Sequence, residues 1–249
     1  MVDDLRRALE LLTVYRPRAA DTWSPELVGS AMAYYPLVGA GIGCALWCLY
    51  LLLAYVFPPP VVAALLLAGL CLVTGGAHLN GLAATLDGLS GGHDRQTTLR
   101  TFKEQHLGAI GVMSVALVLL IKFACLSVVP DEGMLLTLVL LGTLSRYAMV
   151  QVACFSAYAR PGGGFGEPFV RGARRRDHFT ATLPWSLIIV ACFGGVGGVL
   201  IGTLVSLAAF GLQTYFRKRL GGITAEVLGA TNEMGEALVL VLAAMMYHA

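Results

Sequence analysis

The lysine and arginine residues of this chain follow a pattern that predicts its topology. Of the seventeen, fifteen fall in four stretches separated by long apolar runs, and the connections at the other ends of those runs carry none. Because basic loops stay on the cytoplasmic side of a membrane, the four stretches and the N-terminus are expected to be cytoplasmic. The four stretches are residues 1–30, 78–107, 158–178 and 217–226.

The composition also indicates an integral membrane protein. Hydrophobic residues make up 57% of the chain and charged residues 13%, which exceeds what a soluble domain can bury. A helix that spans the bilayer needs roughly 20 mainly apolar residues. The prediction is an all-α, polytopic membrane helical bundle in a single domain, residues 1–249. Its seven predicted spans are 31–57, 61–77, 108–129, 134–157, 179–193, 195–216 and 227–247.

The fifth and sixth spans depend on a break at Gly194–Gly198. A single long tilted helix would give six spans instead, but it would put Arg217–Arg219 outside, against the charge rule. At the N-terminus, Leu5, Leu9 and Leu12 recur at helical spacing. They predict an amphipathic helix, either lying at the cytoplasmic interface or packed on the bundle.

Polar residues gather without a solubility requirement in the segment from His78 to Gly111. Helical periodicity places Asn80 and Asp87 on one face with His78 close above, so their oxygens can meet a hard cation. Further along, Lys103, Glu104 and His106 precede the third span. The alternative is an ordinary solvated loop.

A second polar cluster enters the last span. Glu226 and Glu233 lie seven residues apart, on one helical face, and Asn232 and Glu236 accompany them. Acids in or beside a bilayer are costly without a partner and are functional candidates. In the fourth run, Arg146 is expected to face the interior and to pair with an acid or an anionic ligand.

The two clusters together predict phosphate chemistry. Oxygen-rich faces without a His and Cys ligand set favour magnesium or manganese over zinc. A divalent ion with Lys and Arg around it is the usual arrangement for phosphoryl transfer. The residues therefore indicate a membrane-embedded phosphotransfer enzyme with its site on the cytoplasmic face.

By contrast, Lys122 is expected to be structural or to extend toward the membrane surface, because its neighbours in sequence are apolar.

Four segments resemble motifs of the cobalamin synthase (adenosylcobinamide-GDP ribazoletransferase) family. The segment from His78 to Gly92 resembles H-L-D-G-L-A-D-T-x-D-G, and Lys103 to Gly108 resembles K-D-S-R-I-G. Tyr35 to Gly39 is similar to F-P-L-V-G, and Thr224 to Glu233 is similar to T-G-D-x-L-G-A-x-N-E. The segments occur in the family's order along nearly the whole chain.

The resemblance implies a multi-pass enzyme of the cytoplasmic (inner) membrane. It would join adenosylcobinamide-GDP to alpha-ribazole or its 5′-phosphate and release GMP, with Mg²⁺ required and the ribazole 5′-oxygen as nucleophile. The roles expected are catalytic for Asp87, Lys103 and His106; metal-binding for Asn80, Asp87, Glu104 and Glu226; and substrate-binding for His78, Arg146, Arg160, Asn232 and Glu233.

This chain departs from the family pattern at four motif positions. Asn80, Ala84, Glu104 and Glu226 stand where the family has Asp, and Asp87 alone keeps it. The loss of two carboxylates is expected to weaken magnesium binding, so a catalytically weakened homologue is one alternative.

Two further classes compete with this reading. Arg146 and the repeated glycines would also suit a transporter or permease, but no internal repeat is present. The signature of CDP-alcohol phosphotransferases is absent, since Asp87-Gly88 is followed by Leu89.

The expected partners are small-molecule substrates and the lipid bilayer, with no nucleic acid. The number of associated copies stays open, a homo-oligomer included. The basic residues from Arg171 to Arg176, with Arg160, could hold the guanine nucleotide phosphates or contact anionic lipid, and lipid contact is favoured.

Overall fold

The computed structural model describes residues 2–15, 24–91, 94–102, 108–172 and 177–248. These residues form eleven helices. The helices are α1 Val2–Leu12, α2 Pro25–Met32, α3 Tyr35–Ala54, α4 Pro59–Thr74, α5 Ala77–Gly91, α6 Arg95–Thr101, α7 Ala109–Leu126, α8 Asp131–Cys154, α9 Glu167–Gly172, α10 Asp177–Leu220 and α11 Ala225–His248.

The all-α membrane fold is confirmed, whereas the count of seven spans is not. Five helices in the described ranges are long and apolar enough to cross a bilayer, and a sixth span arises if α4 and α5 are counted together. The helix α4 has 16 residues, about 24 Å, which is shorter than the hydrocarbon thickness of about 30 Å. Because five or six such spans are present in the described ranges, the chain is a multi-pass membrane protein.

The predicted polar loop at 78–107 begins as a helix. Gly75 and Gly76 both have positive φ, 63° and 66°, and end α4 in a left-handed turn. The chain then bends by 90° into α5. This turn carries α5 away from the direction of α4 and against α7 and α11.

The core of the bundle is α8, which is buried along nearly its whole length between α3, α10 and α11. Glycines allow α3 and α8 to touch through their backbones. A Cβ at Gly39 would lie 2.0 Å from the Gly142 carbonyl oxygen, and one at Gly43 would lie 2.3 Å from that of Leu138. Small residues spaced four apart, as Gly39 and Gly43 are, allow this close approach of two membrane helices.

The helix α10 breaks where the sequence predicted a cut. Gly195 has φ 49° and ψ −143°, outside the helical region. The part after the break, Gly195–Leu220, passes the length and hydropathy requirements for a span. Earlier in α10, an apolar stretch at Thr182–Ala191 is shorter than a span requires. The fifth predicted span is thus the weaker of the two.

The basic stretches meet at one end of the bundle. Arg95 donates a 2.8 Å hydrogen bond to the Ala159 carbonyl, and Tyr158 pairs with Ile223 in a parallel bridge. Nearby, α1 packs on α2 and α3, with Ala8 and Leu12 buried. The common location agrees with the charge pattern, and α1 is the bundle-packed helix of the two alternatives.

Candidate active site

The two polar clusters found in the sequence come together because α5 and α11 approach closely. A Cβ at Gly81 would lie 2.9 Å from the Glu226 carbonyl oxygen, and one at Gly229 would lie 3.1 Å from both the Gly81 Cα and the His78 carbonyl oxygen. Glycine at both positions therefore lets the two backbones touch. The HLNG segment of α5 and the TAEVLG segment of α11 form one wall.

This wall borders a cleft of about 270 Å³ at the end of the bundle where the basic stretches meet. The other sides come from α1, the start of α3 and the segment that leads into α9. Polar groups lie on the α5 and α11 side, and apolar and aromatic groups lie opposite. The lining residues that matter below are Leu12, Tyr35, His78, Asn80, Phe165 and Glu226.

Glu226 forms an ion pair at the edge of the cleft. Arg160 Nη2 donates to Glu226 Oε1 over 2.9 Å, and the two side chains are 9% and 19% exposed. The second carboxylate oxygen, Oε2, and Arg160 Nε are buried and have no hydrogen-bond partner among the described residues. One acceptor and one donor of this pair are therefore still available to a ligand.

Three more polar groups face the cleft. Asn80 is exposed, so its side-chain amide is open to solvent. His78 and Tyr35 are buried, and the Nε2 of His78 and the hydroxyl of Tyr35 lack partners within the part of the chain that the structure describes. Buried polar atoms normally have a hydrogen-bond partner. These two unpaired atoms, with Glu226 Oε2, mark the cleft as a ligand site.

Tyr158 lies beside the cleft on the segment between α8 and α9. Burial raises the pKa of its phenol, and the neighbouring Arg160 partly offsets that effect. The phenol therefore stays protonated at neutral pH. A Cβ at Gly164 would lie 2.6 Å from its hydroxyl, so the glycine-rich turn packs directly on Tyr158.

A separate charge cluster lies inside the bundle. Lys122 Nζ lies 2.5 Å from Glu233 Oε2 and 2.5 Å from Glu236 Oε2, and Arg146 donates to Glu236 Oε1. Asn232 donates to the same Oε1 over 2.9 Å. Two cations and two carboxylates balance, which buried charges require. We call Lys122, Arg146, Glu233 and Glu236 the buried charge cluster.

The interior position and acid partner predicted for Arg146 are confirmed. Lys122 does not extend toward the membrane surface, because two carboxylates more than 100 residues away hold it inside the bundle. Arg146, Asn232 and Glu233 do not line the cleft as far as the described residues show, and their substrate-binding roles stay predictions.

Asp87 has a different position from the one expected. Its Oδ2 accepts a 2.7 Å hydrogen bond from the Gly108 amide, and its Oδ1 accepts another of 2.7 Å from the Gly111 amide. The carboxylate thus caps the first turn of α7, where unpaired amides and the helix dipole favour a negative charge. Two helical turns, about 10 Å, separate Asp87 from Asn80 along α5. Asp87 therefore caps α7 and does not line the cleft within the described ranges, and its catalytic and metal-binding roles stay predictions.

Three predicted site residues, Lys103, Glu104 and His106, lie outside the described residues, and their roles stay predictions. Two residues that line the cleft were not predicted as site residues, Tyr35 and Phe165. Tyr35 belongs to a recognised motif, but its buried hydroxyl could not be inferred from an apolar run. Phe165 follows three glycines, a pattern that was a signal for an exposed turn.

The fold and the cleft together define a multi-pass membrane protein with a polar ligand site at the ends of its helices. A sequence model of the family described as cobalamin-5-phosphate synthase matches residues 4–244. The chain belongs to this family. Membership favours the enzyme over the transporter alternative.

Curated relatives agree over most of the chain. Identity is 36% with the adenosylcobinamide-GDP ribazoletransferase of Syntrophobacter fumaroxidans, over 96% of this chain and 97% of that protein. It is 38% with the protein of the same name from Pseudomonas putida, over 88% and 90%. It is 34% with that of Geotalea daltonii, over 86% of each. No solved structure matches the chain.

Proposed function

We propose that this chain joins adenosylcobinamide-GDP to alpha-ribazole, or to its 5′-phosphate, and releases GMP, the activity named for its relatives. The observation that carries the proposal is the meeting of the α5 and α11 motif segments at one cleft, within a chain that matches the family from residue 4 to residue 244.

The reaction exchanges one phosphoester bond for another. A ribose hydroxyl oxygen of the ribazole forms a bond to the phosphorus that carries the cobinamide. The bond from that phosphorus to the bridging oxygen breaks, the bridging oxygen leaves with GMP, and the hydroxyl proton is released. The family description, cobalamin-5-phosphate synthase, names a product that retains its 5-phosphate. On this ground we propose a ribose hydroxyl other than the 5′-hydroxyl as the nucleophile, in place of the 5′-oxygen that the resemblance implied.

The cleft can hold the reacting groups through its own side chains. Arg160 Nε is a donor without a partner in the described ranges, so it can bind a phosphate oxygen, while its Nη2 keeps Glu226 in place. His78 Nε2 and the Tyr35 hydroxyl are placed to orient the sugar or phosphate oxygens. Holding the two substrates in line contributes much of the rate in phosphoryl transfer.

The donor set is compatible with a magnesium ion that shares its ligands with the substrate. Within the described part of the chain, no group of three or more His, Cys, Asp or Glu residues is arranged to hold a metal. Mg²⁺ is usually bound through one or two carboxylates together with substrate phosphates. Glu226 Oε2 and the Asn80 amide oxygen would supply the protein ligands. The ion would neutralise charge on the diphosphate.

The charge pattern supports an active site on the cytoplasmic face of the inner membrane. The cleft lies at the end of the bundle where the Lys- and Arg-containing stretches meet, as the positive-inside rule expects for the cytoplasmic end. The amphiphilic corrinoid would rest at the membrane surface while its diphosphate enters the cleft.

The test is release of GMP by the purified protein in detergent or nanodiscs, supplied with adenosylcobinamide-GDP, alpha-ribazole and Mg²⁺. We expect GMP to form only when all three are present, together with an equal amount of joined corrinoid product. No GMP above the control without protein, from a preparation shown to be folded, would instead favour the catalytically weakened homologue. Chelation with EDTA and restoration with Mg²⁺ tests the metal separately.

A further inference from the structure

One aromatic side chain lies at the mouth of the cleft and is largely exposed. Phe165 is 70% exposed, although it lines the cleft that also contains Asn80 and Glu226. A large apolar ring exposed beside polar groups costs free energy in water. Ligand clefts are typically lined by aromatic side chains together with a few polar groups, so Phe165 is a candidate ligand contact.

The backbone holds Phe165 in a defined position. Gly163 and Gly164 have φ of 72° and 153°, values that side chains other than glycine rarely adopt. The Glu167 amide donates to the Gly164 carbonyl over 2.9 Å, which closes the turn around Phe165. A Cβ at Gly166 would lie 2.5 Å from the Ala225 amide nitrogen. The turn is therefore packed against the start of α11, one residue before Glu226.

A second ring supports the first from below. Phe169, on α9, is buried, and its ring centroid lies 5.6 Å from that of Phe165 with 55° between the ring planes. Tilted aromatic pairs at this distance are favourable and limit the freedom of the exposed ring. One face of Phe165 is thus backed by protein while the ring itself remains open.

We propose that Phe165 is a specificity residue that stacks on a planar nitrogen heterocycle carried on ribose. The proposal rests on the proposed function, in which both substrates contain such a group: the guanine of adenosylcobinamide-GDP and the base of alpha-ribazole. Stacking on an aromatic side chain tolerates any flat base, since every base has a π-face. Phe165 therefore holds the base while Arg160 binds phosphate, and Glu226 and Asn80 would hold the ion that the phosphate shares.

The positions of Arg160 and Phe165 in the sequence agree with these separate roles in binding the phosphate and the base. Arg160, which pairs with Glu226, and Phe165 lie on the same short segment between α8 and α9. A nucleotide bound across the segment can place its phosphate at Arg160 and its base at Phe165. Phe165 lines the same cleft as Glu226, whose carboxylate pairs with Arg160.

The experiment compares Phe165→Ala, Phe165→Leu and Phe165→Trp with the wild type in the GMP-release assay, each substrate being varied in turn. We expect Phe165→Ala to raise the KM of one heterocyclic substrate about 10-fold, with kcat changed less than about 2-fold. Trp should restore the KM, and Leu, which keeps apolar area without a π-face, should not. Phe210→Ala is the matched control, because Phe210 is 59% exposed on α10 and does not line the cleft.

The substrate whose KM rises in Phe165→Ala shows which base stacks on Phe165. If guanine stacks, the inhibition constant of GMP rises in parallel with the KM of adenosylcobinamide-GDP; if the ribazole base stacks, the KM of alpha-ribazole alone rises. Equal KM values for the wild type and Phe165→Ala overturn the proposal, as does full restoration by Leu.

The result can be separated from a failure of the proposed function. Equilibrium dialysis of GMP and of alpha-ribazole against the wild type and the three variants does not require turnover. Weaker binding to Ala and Leu than to the wild type and Trp supports stacking even where no GMP is formed. Equal binding to all four proteins contradicts it even where the wild type is active.

Discussion

Arg160 and Glu226 form an ion pair in which only one of the two carboxylate oxygens accepts a hydrogen bond. Arg160 Nη2 donates to Oε1 over 2.9 Å, while Oε2 is buried without a partner among the described residues. A buried unpaired oxygen is costly unless a ligand satisfies it. The pair joins the segment after α8 to the start of α11, and it is the point of the cleft where a cation and a phosphate can both bind.

The first prediction concerns the charge on Glu226. Glu226→Gln keeps the size and the hydrogen bond to Arg160 but removes the negative charge, so kcat/KM for GMP release should fall about 100-fold. The Mg²⁺ concentration for half-maximal rate should rise as well. Glu132→Gln, an exposed residue of the first turn of α8 that does not line the cleft, is the control and should leave both values unchanged.

The second prediction concerns the buried charge cluster. Lys122→Met leaves Glu233 and Glu236 with Arg146 as their remaining cation in the cluster. Removing one partner of a buried pair typically costs about 3–5 kcal/mol of stability. Thermal unfolding in detergent should show a large drop in Tm, whereas Lys218→Met, at an exposed position, should not. An unchanged Tm for Lys122→Met would contradict the cluster.

The third prediction restores the balance of charge. Lys122→Met combined with Glu233→Gln removes one charge of each sign and leaves Arg146 paired with Glu236. The double variant should be more stable than Lys122→Met alone, because no uncompensated carboxylate remains. A double variant less stable than either single variant would show that the two residues act independently.

The fourth prediction tests the contact between α5 and α11. Gly81→Val places a side chain where a Cβ already meets the Glu226 carbonyl at 2.9 Å, so it should cost about 1–3 kcal/mol and lower activity. Gly41→Ala is the matched control, because nothing lies within 4 Å of its Cβ position. The control should be neutral or slightly stabilising in thermal unfolding.

Much of the fold could be predicted from the sequence, because apolar runs and basic loops report directly on the membrane. The break at Gly195 was found in the same way. The sharp turn at Gly75 and Gly76 was not predicted, because two glycines between an apolar run and a polar segment resemble an ordinary loop. The partners of Lys122 were missed because they lie more than 100 residues away. The capping role of Asp87 depends on the position of α7, which a local pattern does not contain.

The candidate site was only partly predictable, for a related reason. A motif names residues of the right type, but the helix packing decides which of them share a cleft. Asn80 and Glu226 do share it, and Asp87 does not. The aromatic Phe165 was overlooked because exposed rings carry no periodicity. The types of the side chains predicted phosphate chemistry, whereas the packing of α5 against α11 determined which of those side chains line the cleft.

The fifth prediction concerns the departure from the motif at Asn80. Asn80→Asp adds a carboxylate to the cleft and should lower the Mg²⁺ concentration needed for half-maximal GMP release several-fold, because ligand charge raises affinity for a hard cation. The same change at an exposed position outside the cleft, Gln96→Asp, serves as the control. No change in magnesium dependence would remove Asn80 from the metal site.

The most direct measurement is a double-mutant cycle on kcat/KM for GMP release, with Asn80→Ala, Glu226→Gln and the pair. Two residues that hold one ion and substrate act as a unit, so the double variant should lose clearly less than the product of the two single losses. Losses that multiply without any coupling would mean that Asn80 and Glu226 serve different sites. That result would contradict a single cleft shared by α5 and α11.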